Sequence, residues 1–407
     1  MRVFGRGKTP PPPDFDGTLT RGGRSLEPAP HLAISLTGFR GADMNHWKET
    51  AEILSRLAEL TAAGRRAALA TVVHIAGSAY RRPGAKFLIE DSGDTLGSVS
   101  GGCLEADVRE VARDVMATGT SSLRHYSTGS DEDMVWGLGL GCNGLVDVFI
   151  QPATAGPLTE LAGHLRELLA GDSPFALVTV VDGAGDLGAT LVVGPDGTVH
   201  GSLGSAELDA QAVGQARGLV AAGRSGVQKL AGRSVFAEVL PPPPHLIVCG
   251  AGDDARPLVA YAADAGFCVT LVDHRPALLQ ADVFPQASQR LLARPEDTGI
   301  VLPPAARSLA VVKTHSLAID REWVRRLLAS GIPYLGVLGP RARTESILRE
   351  TGAAPEDSER VFGPVGLDLG ADGPRQVAVS IVAELLAFTA GRTPQHLSER
   401  QEAIHAV

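Results

Sequence analysis

The stretch Gly97-Ser98-Val99-Ser100-Gly101-Gly102-Cys103-Leu104-Glu105 lies in a segment whose surroundings occur twice in the chain. Three pairs of similar segments mark the two copies: Ala68–Val73 with Ala176–Val181, Gly84–Ile89 with Gly188–Val193, and Gly97–Val99 with Gly201–Leu203. Each copy reads strand, loop, strand, tight turn, strand, helix. A period of about 105 residues is far longer than that of a solenoid repeat, so the pattern predicts a domain with pseudo-twofold symmetry.

Two features distinguish the first copy from the second. One is a longer basic loop, Gly77–Pro83, and the other is the Gly101-Gly102-Cys103 sequence. We infer that the first copy holds the working site; the alternative is that the second copy has simply drifted.

Composition limits the class of protein. A chain of 407 residues with 44% hydrophobic residues and few aromatics is typical of an α/β protein with two or three domains. The net charge of −9 argues against broad nucleic-acid binding. No apolar run reaches the roughly 18 residues of a membrane span, and no secretory signal is present. Four cysteines without a CxxC pair indicate reduced thiols, as in the cytoplasm.

The chain divides into segments of different composition. We expect a disordered tail (residues 1–43) and then a duplicated thiol-bearing domain (44–240). A proline linker (241–244) leads to a Rossmann-like domain (245–390), which is followed by a second tail (391–407). An amphipathic helix begins at Met44, which is itself a candidate start of the natural chain.

The C-terminal domain carries a dinucleotide-type fingerprint. Gly250, Gly252 and Ala255 follow a short apolar strand and precede a helix, and Asp273 ends the next strand, where an acid would bind a ribose hydroxyl. Alternating strands and helices then predict a doubly wound, mostly parallel sheet. Asp253 and Asp254 place negative charge where a pyrophosphate would lie. The ligand therefore stays open between NAD(P), another nucleotide, a pterin or none.

Further polar residues follow later strands of this domain. His315 and Arg341 come directly after strand-like segments, and Asp368 lies in a glycine-rich turn. Because the carboxyl edge of a parallel sheet is where such folds bind ligands, these residues are candidates for the same site.

In the N-terminal domain, Cys103 precedes a helix, whose dipole and amides favour a thiolate. The Gly101 and Gly102 amides are suited to a phosphate. Glu105 either supports the helix start or accepts a proton. In the basic loop, Ser78, Arg81 and Arg82 are candidates for an anion clamp. Cys142 lies in a glycine-rich loop, where it is a candidate ligand. We expect Cys249 and Cys268 to be core thiols. A zinc site from Cys103, Cys142 and a histidine is a weaker alternative.

The chain resembles the xanthine dehydrogenase accessory (XdhC/CoxI) family. The resemblance is carried by GSAYRRPGAKF, GSVSGGCLEADV, WGLGLGCNG, IVCGAGDDARPL, VTLVDHRP, VKTHS, YLGVLGPRAR and PVGLDLGADGPRQVAVSIVAELL. It implies a chaperone, not an enzyme, that binds the molybdenum cofactor as molybdopterin or its nucleotide form. It also implies a homodimer, a cysteine desulfurase partner that supplies a sulfido ligand, and delivery to a molybdenum hydroxylase.

The residues and the resemblance lead to one hypothesis and two alternatives. Cys103, with Cys142, contacts molybdenum or relays sulfur, while Arg81, Arg82, Gly101 and Gly102 hold the pterin phosphate. One alternative is an NAD(P)-dependent oxidoreductase that uses the Gly250 fingerprint and His315 as acid or base. The other is a scaffold that docks the desulfurase to its client.

Overall fold

The computed structural model describes residues 44–77, 79–127 and 144–400. The N-terminal part consists of two copies of one unit, in which a helix, three strands, a helix and two strands follow each other. The first copy comprises α1 (Met44–Ala62), β1 (Ala67–Gly77), β2 (Lys86–Glu90), β3 (Thr95–Gly97), α2 (Glu105–Thr118), β4 (Ser122–Ser127) and β5 (Gly144–Pro152). The second comprises α3 (Pro157–Leu169), β6 (Phe175–Asp182), β7 (Thr190–Val193), β8 (Val199–Gly201), α4 (Ala206–Ala222), β9 (Gly226–Leu230) and β10 (Arg233–Leu240).

Both copies form an antiparallel five-stranded sheet with the same topology. The strand orders are β3-β2-β1-β5-β4 and β8-β7-β6-β10-β9, which confirms the duplication. The repeated unit is longer than its sequence pattern indicates, because it also includes the preceding helix and the last two strands. The two sheets contact each other through one equivalent pair from each, Val73 and Phe149 with Val181 and Phe236.

Helices complete the layers of this part. The apolar faces of α2 and α4 cover the outer faces of their own sheets. The first helices of the two copies, α1 and α3, share a separate core with residues of both sheets, in which Trp47 meets Phe175 edge to face at 5.5 Å. Strand β1 is buried on both faces over most of its length, as expected of a strand between two layers.

The C-terminal part is a parallel six-stranded sheet in the order β13-β12-β11-β14-β15-β16. Its strands are β11 (His245–Cys249), β12 (Cys268–Asp273), β13 (Gln289–Leu292), β14 (Ser308–Val312), β15 (Tyr334–Val337) and β16 (Val361–Phe362). Its helices are α5 (Arg256–Asp264), α6 (Leu317–Ala329), α7 (Arg341–Thr351), α8 (Pro355–Ser358) and α9 (Pro374–Thr389). The order is that of a Rossmann sheet, with a core on each face, which confirms the predicted fold class.

The proline segment between the two parts is held by contacts from both sides. The Arg307 guanidinium donates to the carbonyls of Pro242 and Pro243 and pairs with Asp172 at 2.7 Å. Among the described residues, no helix is long and apolar enough to cross a membrane.

Candidate functional site: a thiol loop in the first repeat

Residues Ser98–Leu104, which we name the thiol loop, connect β3 to α2. Cys103 is exposed in this loop. Gly101 and Gly102 before it have φ angles of +91° and +125°, a region that favours glycine. Helix α2 begins only at Glu105, without a side-chain cap.

The second repeat shows what the first has replaced. An offset of 104 residues (201 − 97) aligns Gly97 with Gly201, and the same offset aligns the C-caps of the two helices, Gly119 and Gly223. In this alignment, α4 begins at the equivalent of Gly102, with the Ser205 hydroxyl capping the amide of Leu208. The first turn of the helix has therefore become a loop in the first repeat, and it is this loop that presents the thiol.

Glu105 organises the thiol loop through hydrogen bonds. Its carboxylate accepts the hydroxyls of Ser98 and Ser100 and the amides of Val99, Ser100 and Gly102. Burial alone would raise the pKa of Glu105, but these hydrogen bonds outweigh it and lower the pKa to about 2. The carboxylate is therefore ionised and engaged, which is unlike the near-neutral pKa that a proton acceptor needs.

Three of the groups expected to hold a phosphate are already engaged within the protein. Arg81 lies 2.6 Å from Glu49 of α1, the Gly101 amide donates to Ser98 Oγ at 3.0 Å, and the Gly102 amide donates to Glu105 Oε2 at 2.9 Å. Arg82 is half-buried in the same basic loop. The candidates Ser78 and Cys142 lie outside the described residues.

A buried ionic cluster lies under this region, and sequence reasoning missed it. Lys86 of β2 pairs with Glu238 of β10, and its ammonium also donates to the Gly84 carbonyl at 3.0 Å. Burial raises the pKa of Glu49, against the opposing effect of Arg81 and Lys86. Gly97, at the start of the loop, lies close to this carboxylate, since a Cβ there would be 3.1 Å from Glu49 Oε1. The available signal was the lysine at position 86, where the second repeat has Thr190.

At the carboxyl edge of the parallel sheet, Asp273 is fully engaged. It accepts the amide of Ala251 at 2.8 Å, the amide of Arg275 at 2.9 Å, and two bonds from the Arg275 guanidinium at 2.9 and 2.8 Å. These four bonds outweigh burial and lower the pKa of Asp273 to about 2. A carboxylate has about four acceptor positions, so Asp273 has none left for a ribose hydroxyl.

The glycine fingerprint is present, and the carboxylate of Asp254 lies next to it. Gly250 has a φ of +119°, and a Cβ there would be 2.5 Å from the Lys313 carbonyl. Asp254 Oδ2 lies 2.8 Å from the Lys313 ammonium and 3.0 Å from His315 Nε2. The structure thus brings His315 to the Gly250–Gly252 loop, together with Lys313, which the sequence did not single out. It also places negative charge where a pyrophosphate would bind.

The two other residues expected at this edge make local contacts. Arg341 is largely exposed and pairs with Glu345 in the next turn of α7, and Asp368 is exposed and accepts the Gly370 amide in its own turn. The residue that instead joins β14 to α7 is the buried Asp320, which accepts the Thr314 amide at 3.0 Å and pairs with Arg343 at 2.5 Å. Within the described ranges, no group of three or more His, Cys, Asp or Glu side chains could hold a metal ion.

Comparison with known proteins assigns the chain to a family. Residues 60–127 and 168–230, which include the thiol loop, match the XdhC and CoxI family, and residues 246–385 match the XdhC Rossmann domain. The chain belongs to the XdhC and CoxI family. The predicted resemblance is thereby confirmed.

Some of the proteins similar to this chain are named after xanthine dehydrogenase or the molybdenum cofactor. The chain is 33% identical over 324 residues to a probable xanthine dehydrogenase subunit of Bacillus subtilis, covering 79% of this chain and 92% of the relative. A shorter match, 32% over 117 residues, is to the "Molybdenum cofactor insertion chaperone PaoD" of Escherichia coli and covers 28% of this chain and 36% of that protein. A crystal structure described as a xanthine dehydrogenase from Bacillus halodurans superimposes with a TM-score of 0.69 at 27% identity, covering 86% and 98% of the two chains.

Proposed function

We propose that this member of the XdhC and CoxI family binds the molybdenum cofactor, holds it during sulfuration, and delivers it to a molybdenum hydroxylase of the xanthine or CO dehydrogenase type. One observation carries the proposal. The first helical turn has been replaced by a glycine loop in one repeat alone, and that loop exposes Cys103.

Cys103 supplies the chemistry of this loop. A thiolate is the form of cysteine that binds metals and takes part in sulfur exchange. The carboxylate of Glu105 accepts hydrogen bonds from the Ser100 and Gly102 amides. These bonds hold the backbone of the loop that presents the thiol. We propose that Cys103, together with Cys142, contacts molybdenum or relays sulfur to it.

The pterin phosphate needs a cation, and the ion pair of Arg81 with Glu49 directs that guanidinium into the protein. Arg81 would bind the phosphate only after that pair opens, and we propose Arg82 of the same basic loop as a further phosphate contact. The amides of Gly101 and Gly102 hold the shape of the loop through Ser98 and Glu105, and we do not assign them to the phosphate.

The partners follow from the proposed cargo. The client is a molybdenum hydroxylase, a cysteine desulfurase supplies the sulfur, and the chaperone works as a homodimer. The names of the relatives support a molybdenum hydroxylase client and the molybdenum cofactor as cargo. We propose that this cargo is molybdopterin or its nucleotide form.

The oxidoreductase alternative is not favoured. Arg275 and Ala251 occupy the carboxylate of Asp273, and Asp254 stands at the phosphate end of the fingerprint. A nicotinamide dinucleotide would have to displace the hydrogen bonds to Asp273. Its pyrophosphate would also lie beside the negative charge of Asp254.

Anaerobic purification from a molybdate-fed host tests the proposal, with molybdenum analysis and pterin fluorescence as readouts. We expect both signals in the wild type and their loss in Cys103→Ala. Glu207→Ala, at the equivalent position of the second repeat, is the matched control and should retain both. Equal molybdenum and pterin in Cys103→Ala, or tight NAD(P) binding without pterin in the wild type, would refute the proposal.

A further inference from the structure

A second thiol lies at the opposite edge of the parallel sheet from the Gly250 loop. His245 is the first residue of β11 and Cys268 the first residue of β12, and the two are paired in register. The sequence pattern places both Cys249 and Cys268 in the core. Cys249 is indeed buried, but that expectation is wrong for Cys268, which is partly exposed, because it lies at the end of its strand.

The His245 imidazole stands between this thiol and a carboxylate. Its Nε2 is 3.2 Å from Oδ1 of Asp172, and Arg307 holds the same oxygen at 2.7 Å. The Cys268 thiol lies beside this imidazole, because the two residues are paired in register on adjacent parallel strands. The ring Nδ1 is buried and has no hydrogen-bond partner of good geometry among the described residues. A nitrogen that can take up the thiol proton is therefore present beside the sulfur.

The surrounding charges favour proton transfer from the thiol to the imidazole. The neighbouring His245 lowers the pKa of Cys268, aided by Ser288 and opposed by burial and by Asp172. The neighbouring Cys268 raises the pKa of His245 against the effect of burial, and Asp172 adds to that increase. Arg307, whose guanidinium lies 2.7 Å from Asp172, is a further charged group beside this carboxylate. A thiol, an imidazole and a carboxylate in this order are the arrangement that activates cysteine nucleophiles.

We propose that Cys268, assisted by His245 and Asp172, is a reactive thiol that forms mixed disulfides with small disulfide compounds. The Sγ thiolate attacks one sulfur of the disulfide, the S–S bond breaks, and a new bond joins Sγ to that sulfur. The second sulfur leaves as a thiolate and takes the proton that His245 received from the Cys268 thiol. One thiol and one disulfide are consumed, and one thiol and one disulfide are formed.

The location gives the reaction a structural consequence. Asp172 follows α3 of the second repeat, whereas His245 and Cys268 belong to the parallel sheet. Arg307 connects Asp172 to the carbonyls of the proline segment. A group added to Cys268 thus competes with contacts that join the N-terminal repeats to the C-terminal sheet. The proposal is independent of any molybdenum cofactor bound at Cys103.

The test measures the reaction of thiols with Ellman's reagent, a small aromatic disulfide, in the full chain carrying Cys103→Ser and Cys142→Ser. Cys268 and the buried Cys249 then remain as test and internal control, and peptide mass mapping identifies the modified residue. We expect one thiol per folded chain, Cys268, to react at pH 7, and Cys249 to react only after unfolding. Equal rates for the two in the folded chain would overturn the proposal.

The role of the imidazole is tested by His245→Gln in the same background. The rate at pH 7 should fall and the midpoint of the pH–rate profile should move to higher pH, because His245 lowers the pKa of Cys268 and the thiolate is the reacting form. Asp172→Asn removes a carboxylate that raises the pKa of Cys268, so its midpoint should move less than that of His245→Gln and in the opposite direction. Circular dichroism checks that both variants are folded. An unchanged pH profile in the folded Asp172→Asn and His245→Gln variants would also overturn the proposal.

Discussion

At the residue scale, one carboxylate in each repeat holds the turn that follows the third strand. Glu105 binds the hydroxyl of Ser98 and the amide of Val99, and Asp209 binds the hydroxyl of Ser202 and the amide of Leu203. The shared contact is structural, since it occurs in the copy without a thiol. The additional bonds of Glu105 to Ser100 and Gly102 belong to the thiol loop.

Glu105→Gln tests this assignment, with Asp209→Asn as its matched control. Each change should cost about 1–3 kcal/mol of unfolding free energy in urea at pH 7, but only Glu105→Gln should reduce bound molybdenum. Because the folded-state pKa of Glu105 is lowered to about 2, its contribution is complete above about pH 4.5 and is lost as the pH falls toward 2. The difference between wild type and Glu105→Gln should therefore shrink on acidification. A difference that grows instead would contradict the account.

The two arginines of the basic loop should behave differently. Arg81→Ala leaves the buried Glu49 without its guanidinium and should cost about 2–3 kcal/mol of unfolding free energy. Arg82→Ala should weaken retention of the pterin, because it removes a proposed contact to the phosphate. Urea unfolding and pterin fluorescence measure the two effects. Full pterin retention in Arg82→Ala would show that another group holds the phosphate.

At the element scale, α2 and α4 are the same helix with different beginnings. Both end at a left-handed glycine, Gly119 or Gly223, whereas α4 has a full first turn with a serine cap and α2 does not. The loop at the start of α2 depends on Gly102, whose φ is +125°. Helix α2 thus begins three residues later than α4, and the loop in place of those three residues exposes the Cys103 thiol.

A pair of glycine substitutions tests this view. Gly102→Ala has space for its Cβ but a φ that L-residues avoid, so it should cost about 1–3 kcal/mol of unfolding free energy. Gly218→Ala, in the exposed interior of α4 with space around it, should instead stabilise by about 0.5–1 kcal/mol. Urea unfolding measures both. A stabilising Gly102→Ala would mean that the loop readily returns to helix.

Sequence alone predicts these elements better than it predicts the contacts between them. The similarity of Ala68–Val73 to Ala176–Val181 predicts the duplication, and the alternation after residue 245 predicts the parallel sheet. The pairs Arg81–Glu49 and Lys86–Glu238 join residues that are 32 and 152 positions apart. Such pairs depend on how helices and sheets pack, which local patterns do not contain. The sequence pattern therefore suggests that Arg81 is an exposed anion clamp, whereas in the fold it is half-buried and paired with Glu49.

At the scale of the whole molecule, the two repeats pack around a pseudo-twofold axis. Equivalent positions between the two sheets nevertheless carry different polar residues. Lys86 and Glu238 of one site correspond to Thr190 and Gln151 of the other, as the register of β1 with β5 and of β6 with β10 shows. A cavity of about 20 Å³, enough for one water molecule, lies between the sheets and is lined in part by Lys86 and Glu238. The ionic site lies on the side of the thiol loop, where Gly84 and Gly97 contact its members.

Breaking the Lys86–Glu238 pair should lower the free energy of unfolding strongly, whereas replacing both residues together should lower it only slightly. Lys86→Met leaves Glu238 buried without a partner and should cost about 3–5 kcal/mol of unfolding free energy. The double change Lys86→Thr with Glu238→Gln recreates the residue pair of the other half and should recover most of that loss. Urea unfolding of the wild type, the single variant and the double variant compares the two losses of stability. Equal destabilisation by both would show that the pair is not a unit.

The central claim is that the unwound turn of the first repeat is the cofactor site, and converting it into the second repeat's sequence tests this most directly. The variant carries Gly101→Ser, Gly102→Ala and Cys103→Glu, which restores a capped first turn like that of α4. Molybdenum and pterin are measured after anaerobic purification, next to the wild type. The account predicts a folded chain, at least as stable as the wild type, with neither molybdenum nor pterin. A folded variant that keeps the wild-type content of both would contradict it.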